Sequence, residues 1–128
     1  MKLVTHLHNG KEQLAIFNHN KLYNLSSIDP SFPSTMKEFL EQWDQFIDRA
    51  RLADQGCKEG KYASDASFEQ AKVLAPVPHP ASCRDGYAFR QHVAAARRNR
   101  KVDMIAEFDQ YPIFYFTNHQ AIQGPGDI

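Results

Sequence analysis

A stripe of apolar residues between positions 36 and 47 is the feature that most limits the folds open to this chain. The apolar side chains recur there at spacings of three and four residues: Met36, Phe39, Leu40, Trp43, Phe46 and Ile47. That period places them along one face of an amphipathic helix. Thr35 and Glu38 form the pattern of a capping box at its start. We predict a helix that runs to about Ala53, with Gly56 past its end and Trp43 in the core.

The residues before this helix favour a small sheet. Short apolar segments at 2–7, 14–17 and 22–25 are separated by turn-forming residues at 8–10 and 18–20. Three short strands cannot bury an apolar face alone, so we expect the helix to cover them. A further short strand is predicted at 71–75.

A proline-rich segment, residues 75–82, predicts a stiff and extended linker. We therefore expect a small domain at 1–74 and a second segment at 83–128. The second segment offers one helix, from 86 to about 100, and one buried strand at 112–116. That is too little for a core of its own, so it should pack on the first domain, on another chain or on a missing partner. The predicted class is α+β: a small β-rich domain with one amphipathic helix, followed by an incomplete second domain.

Charge and composition exclude several classes of function. Lys plus Arg and Asp plus Glu both number 15, so the formal net charge is zero and nothing draws the whole chain to nucleic acid or to an anionic membrane. No apolar run approaches the roughly 20 residues that cross a bilayer, and the first residues lack the apolar region of a signal peptide. Cys57 and Cys83 form neither a metal pair nor a disulfide framework. We expect a soluble, cytoplasmic protein.

The densest set of chemically active residues lies between Asp85 and His92. On a helix that begins at Asp85, His92 would follow two turns later on nearly the same face. The carboxylate could bind a metal and the imidazole could act as a general base, but Asp85 could equally be a helix cap and His92 a half-buried helix residue. Cations nearby could attract a carboxylate or nucleic acid, or could simply form a solvated face: Arg84, Arg90, Arg97, Arg98, Arg100 and Lys101. The histidine pair at 6 and 8 is expected to be surface.

Four segments together resemble the fumarylacetoacetate hydrolase family. Residues 85–92, DGYAFRQH, resemble the D-x-Y-x-x-x-Q-H segment that opens the family's catalytic domain. Residues 74–80, LAPVPHP, resemble the linker before it, and residues 112–118 and 124–127 resemble the strand and the loop after it. The start of the chain, MKLVT, is also similar to the usual start of the family.

The resemblance implies a mixed-β catalytic domain and a metal-dependent hydrolase that cleaves a carbon–carbon bond in a β-diketo acid. Asp85 matches a carboxylate that binds Mg²⁺ or Ca²⁺, and His92 matches the histidine that activates water. Tyr87 and Tyr115 match tyrosines near the substrate. Neutral histidine can take a proton from water, and a hard cation prefers carboxylate oxygens.

The resemblance also places the family's remaining metal ligands, an E-x-E pair and a later aspartate, beyond the residues present here. One carboxylate cannot hold an ion that takes six or more oxygens. We therefore expect this chain to be an inactive N-terminal part of such an enzyme, to bind no metal by itself, and to form homo-oligomers. A free-standing, non-catalytic domain used for binding or assembly is the alternative.

Overall fold

The computed structural model describes residues 1–126, which form two compact units. The first comprises Met1–Pro80 with the described residues from Ile122 onward, and the second comprises Ala81–Ala121. Both contain strands and helices, which confirms the α+β class. No helix of the described residues is long and apolar enough to cross a membrane.

The first unit is built on an antiparallel sheet with strand order β4-β3-β2-β1-β5. The strands are β1 (Leu3–His8), β2 (Lys11–Asn18), β3 (Lys21–Asn24), β4 (Ala66–Ser67) and β5 (Lys72–Val73). The first three are the predicted meander. Both predicted turns are present, because Asn9 and Gly10 have φ of 50° and 75°, and His19 and Asn20 have φ of 45° and 63°. Asparagine and glycine tolerate this left-handed conformation, which matches the twist of the flanking strands.

Three helices pack with this sheet: α1 (Leu25–Ile28), α2 (Met36–Glu41) and α3 (Trp43–Lys58). The predicted cap by Thr35 is confirmed, since its hydroxyl accepts the Glu38 N–H at 3.2 Å; the Glu38 carboxylate reaches back to the Thr35 hydroxyl, which donates to it at 2.9 Å, and not to the Thr35 N–H of a full capping box. The prediction of a single helix is wrong. Gln42, with φ −120° and ψ 33°, leaves the helical conformation and separates α2 from α3. The helix also runs past Gly56, which was expected to follow its end.

The break at Gln42 explains why Trp43 is not in the core. The indole is 43% exposed and meets the buried Phe39 only edge-on, with ring centroids 5.8 Å apart. Because Trp43 starts a new helix, the phase of the apolar stripe is reset there. The core forms instead around residues of the sheet, the loop and both longer helices: Leu14, Ile16, Tyr23, Leu25, Phe32, Met36, Phe39, Phe46, Ala50, Ala53 and Cys57.

The beginning of the proline-rich segment belongs to the first unit. Ala75 is buried, the Thr5 hydroxyl donates to the carbonyl of Pro76 at 2.9 Å, and Val77 packs against the core. The segment is therefore anchored where it leaves the sheet.

The second unit contains β6 (Cys83–Gly86), α4 (Arg90–Asn99), a 3₁₀ turn (Ala106–Asp109) and β7 (Phe114–Thr117). Its helix begins four residues later than the predicted start at 86, because Asp85 and Gly86 pair with β7 instead. The predicted strand near 112–116 is present but not buried: all four residues of β7 are exposed. Of the predicted terminal loop, Asp127 lies outside the described residues.

Candidate functional site

The matched residues of the second unit are organised by an antiparallel ribbon of β6 and β7. Asp85 lies directly opposite Tyr115, and Cys83 lies opposite Thr117. Since directly paired residues share a face and alternate residues return to it, these four side chains occupy one face of the ribbon. Tyr115 is 65% exposed there, and Asp85 is also exposed. The ribbon thus brings together two of the four residues predicted for the site, although they are 30 positions apart.

The other face of the ribbon carries Arg84, Gly86, Phe114 and Phe116. The guanidinium of Arg84 lies 5.3 Å from the ring centroid of Phe114 and 5.2 Å from that of Phe116. These are cation–π distances. Arg84 also donates to the Ser82 hydroxyl at 2.9 Å. From the sequence alone, Arg84 was predicted only as one member of the basic cluster.

Tyr87 follows β6 and is half-buried beside a pocket of about 390 Å³. Its N–H donates to the carbonyl of Ile113 at 3.0 Å, which extends the ribbon by one bond. Its ring meets Phe108 edge-on, with centroids 6.1 Å apart. Four of its nine lining residues are aromatic, and the lining comprises Arg84, Gly86, Tyr87, Ala88, Phe108, Tyr111, Pro112, Ile113 and Phe114.

His92 lies in the first turn of α4 with its side chain exposed. The predicted relation between Asp85 and His92 is wrong in geometry: Asp85 is in a strand, so the two do not lie on one helix face, and no ion pair joins them. The residue before the helix is Phe89, and its side chain makes no capping bond. Phe89 is also 80% exposed, and Val93 is the one residue of α4 that is fully buried.

The predicted basic cluster is partly neutralised. Arg90 forms a two-pronged ion pair with Asp109, at 2.9 Å and 3.1 Å. This pairing lowers the pKa of the Asp109 carboxyl and raises that of Arg90. Arg97 donates to the backbone carbonyl of Asp103. The cations near the end of α4 also lie where the helix dipole favours positive charge.

The described residues do not by themselves make a site for Mg²⁺ or Ca²⁺. Residues 1–126 contain no group of three His, Cys, Asp or Glu side chains arranged to hold a metal ion. Asp85 is the one carboxylate on its face of the ribbon. Hard divalent cations take six or more oxygen ligands, so further ligands would have to come from elsewhere.

A buried polar network in the first unit escaped the sequence analysis. His6 was expected at the surface with His8, but it is fully buried and its Nε2 lies 2.7 Å from the Asn24 side-chain oxygen. The Asn24 N–H donates to the carboxylate of Asp65 at 2.8 Å, and the Ser27 hydroxyl donates to the other oxygen at 2.7 Å. Within the described residues, His6 Nδ1 has no hydrogen-bond partner. The network connects the end of β3 to the loop before β4. No local sequence pattern predicts it.

Comparison with known proteins adds no relative: no protein-family model matches the chain, and no curated protein matches it.

Proposed function

We propose that this chain is the N-terminal part of a fumarylacetoacetate-hydrolase-like enzyme that hydrolyses a carbon–carbon bond in a β-diketo acid. The observation that supports the proposal is the pairing of Asp85 with Tyr115 on one exposed face of the β6–β7 ribbon. These two residues are matched to the family separately, one in the D-x-Y-x-x-x-Q-H segment and one in the later strand. Their adjacency in space is what a shared site requires.

In this proposal the chain supplies only part of the site. Asp85 would contribute one carboxylate to a Mg²⁺ or Ca²⁺ centre whose other ligands lie further along the natural protein, and such an ion would supply Lewis-acid polarisation of the diketo group. His92, exposed on α4, accepts a proton from the attacking water. Tyr87 and Tyr115 contact the substrate through their hydroxyls.

The proposal also accounts for the exposed apolar surface of the second unit. Phe116 is 78% exposed, Phe89 is 80% exposed and both edges of the two-stranded ribbon are free of other strands among the described residues. Such surfaces drive association. We propose that further catalytic-domain residues or an identical chain cover them in a cytoplasmic homo-oligomer.

The alternative is a free-standing binding or assembly domain. One observation favours it: the first unit has its own sheet, helices and continuous core. The reading frame of the gene separates the two proposals. A frame that continues into an E-x-E motif supports the enzyme, whereas a stop codon directly after the codon for residue 128 supports the free-standing domain.

A further inference from the structure

We propose that the aromatic pocket beside β6 binds a small organic carboxylate with a planar apolar body, and that Arg84 anchors its carboxylate. The pocket lies at one end of the ribbon: Arg84, Gly86 and Phe114 line it from the face opposite Asp85 and Tyr115, and Tyr87 and Ile113 complete it. The pocket shares Tyr87 with the proposed hydrolase site, but Arg84 lies on the face opposite Asp85 and Tyr115, and the inference does not rest on the proposed hydrolase activity.

The first argument is the state of the Arg84 guanidinium. It is exposed, and its one hydrogen bond among the described residues goes to the neutral Ser82 hydroxyl. No described carboxylate lies within 4.0 Å of it, in contrast to Arg90, which Asp109 neutralises. The group offers five N–H donors, of which one is used. A planar fork of donors with uncompensated charge suits a carboxylate.

The second argument is that the aromatic residues of β7 hold this cation in place. Its central carbon is within 5.3 Å of the Phe114 centroid and 5.2 Å of the Phe116 centroid. Because the two rings already restrict the rotamers of Arg84, ligand binding costs less side-chain entropy than it would for an unrestrained arginine. The guanidinium is therefore pre-positioned at the edge of the pocket, which it helps to line.

The third argument is the shape and lining of the pocket. Its volume of about 390 Å³ lies within the range of small-ligand sites. The rings of Tyr87 and Phe108 meet edge-on in its wall, and Phe114 and Tyr111 add further aromatic surface. Gly86 leaves the β6 side of the pocket open, because a Cβ there would meet only Ala88 Cβ, at 3.9 Å. Aromatic walls with a cation at the edge match a ligand with a flat apolar body and one carboxylate.

The test is an NMR titration of the whole chain with 3-phenylpropionate, and with 3-phenylpropionamide as the neutral probe. We expect the acid to shift the amide signals of Gly86, Tyr87 and Ile113, and to bind more tightly than the amide by roughly fivefold or more, which corresponds to about 1 kcal/mol. Arg84→Gln should remove this preference. Gly86→Leu should abolish binding of both probes by filling the pocket.

Arg98→Gln is the matched control, since Arg98 is an exposed arginine of α4 that does not line this pocket. It should leave both affinities unchanged. Equal affinity for the acid and the amide in the unmodified chain would overturn the assignment of Arg84 as anchor, and this comparison needs no variant. Absence of shifts around Gly86, or binding that survives Gly86→Leu, would overturn the pocket itself. A hydrolase proposal that failed would leave these outcomes unaffected.

Discussion

Replacing Gly56 by alanine tests how closely α3 is packed against the segment that follows it. Gly56 is buried inside α3, and a Cβ added there would lie 2.5 Å from Cε2 of Tyr62 and 3.2 Å from its Cζ. Alanine in a helix interior is normally more stable than glycine by about 1 kcal/mol. Overpacking typically costs about 1–3 kcal/mol. The clash should therefore cancel or exceed the gain, and we expect Gly56→Ala to lower the free energy of unfolding by up to about 2 kcal/mol.

Urea unfolding of the full chain, followed by far-UV circular dichroism, measures this change. The decisive comparison is the same substitution in a Tyr62→Ala background, where the ring is absent and Gly56→Ala should stabilise the chain by about 1 kcal/mol. Gln55→Ala, at the exposed neighbouring position, is the control and should change stability by no more than about 0.5 kcal/mol. If Gly56→Ala stabilises the unmodified chain as much as the Tyr62→Ala chain, the reasoning from the ring contact is wrong.

Three further predictions follow from burial and charge. Phe39→Ala should cost about 3–5 kcal/mol of unfolding free energy because the ring is fully buried, whereas Trp43→Ala should cost clearly less because the indole is 43% exposed. Similar values for the two variants in urea titrations would contradict the core described above. Burial, aided by the charge of Asp54, raises the pKa of the Cys57 thiol to about 11. At pH 8, iodoacetamide should therefore alkylate the half-buried Cys83 and spare Cys57, and rapid labelling of Cys57 detected by mass spectrometry would refute this. In titration calorimetry, Mg²⁺ and Ca²⁺ should bind this chain no more tightly than about millimolar, because the described residues provide too few oxygen ligands. A micromolar site that is lost in Asp85→Ala would show that other ligands converge on the Asp85 carboxylate.

Features set by neighbouring residues could be predicted from the sequence. The Asn9-Gly10 turn needs only a residue pair that tolerates positive φ, and the cap at Thr35 needs only a hydroxyl three residues before Glu38. The helical period likewise located α2 and α3. It could not locate the break at Gln42, because the apolar spacing continues through that residue.

Features set by distant residues could not be predicted. Gly56 looked like a helix end, yet it lies inside the helix beside the ring of Tyr62. Asp85 looked like a helix cap, but pairing of β6 with a strand 30 positions later overrides that local preference. The same pairing joins Asp85 to Tyr115, a contact that spacing from Asp85 to His92 could not suggest. The resemblance identified both residues, and the pairing of β6 with β7 places them side by side.

The central claim is tested most directly by the rate at which the protein encoded by the complete gene hydrolyses a β-diketo acid in the presence of Mg²⁺ or Ca²⁺. We predict measurable hydrolysis that falls by about 100-fold or more in His92→Gln, as expected for loss of a general base, and that is also lost in Asp85→Asn. Asp103→Asn, at another exposed carboxylate of the same unit, is the control and should retain the full rate. Absence of hydrolysis, or full activity in both Asp85→Asn and His92→Gln, would contradict the assignment.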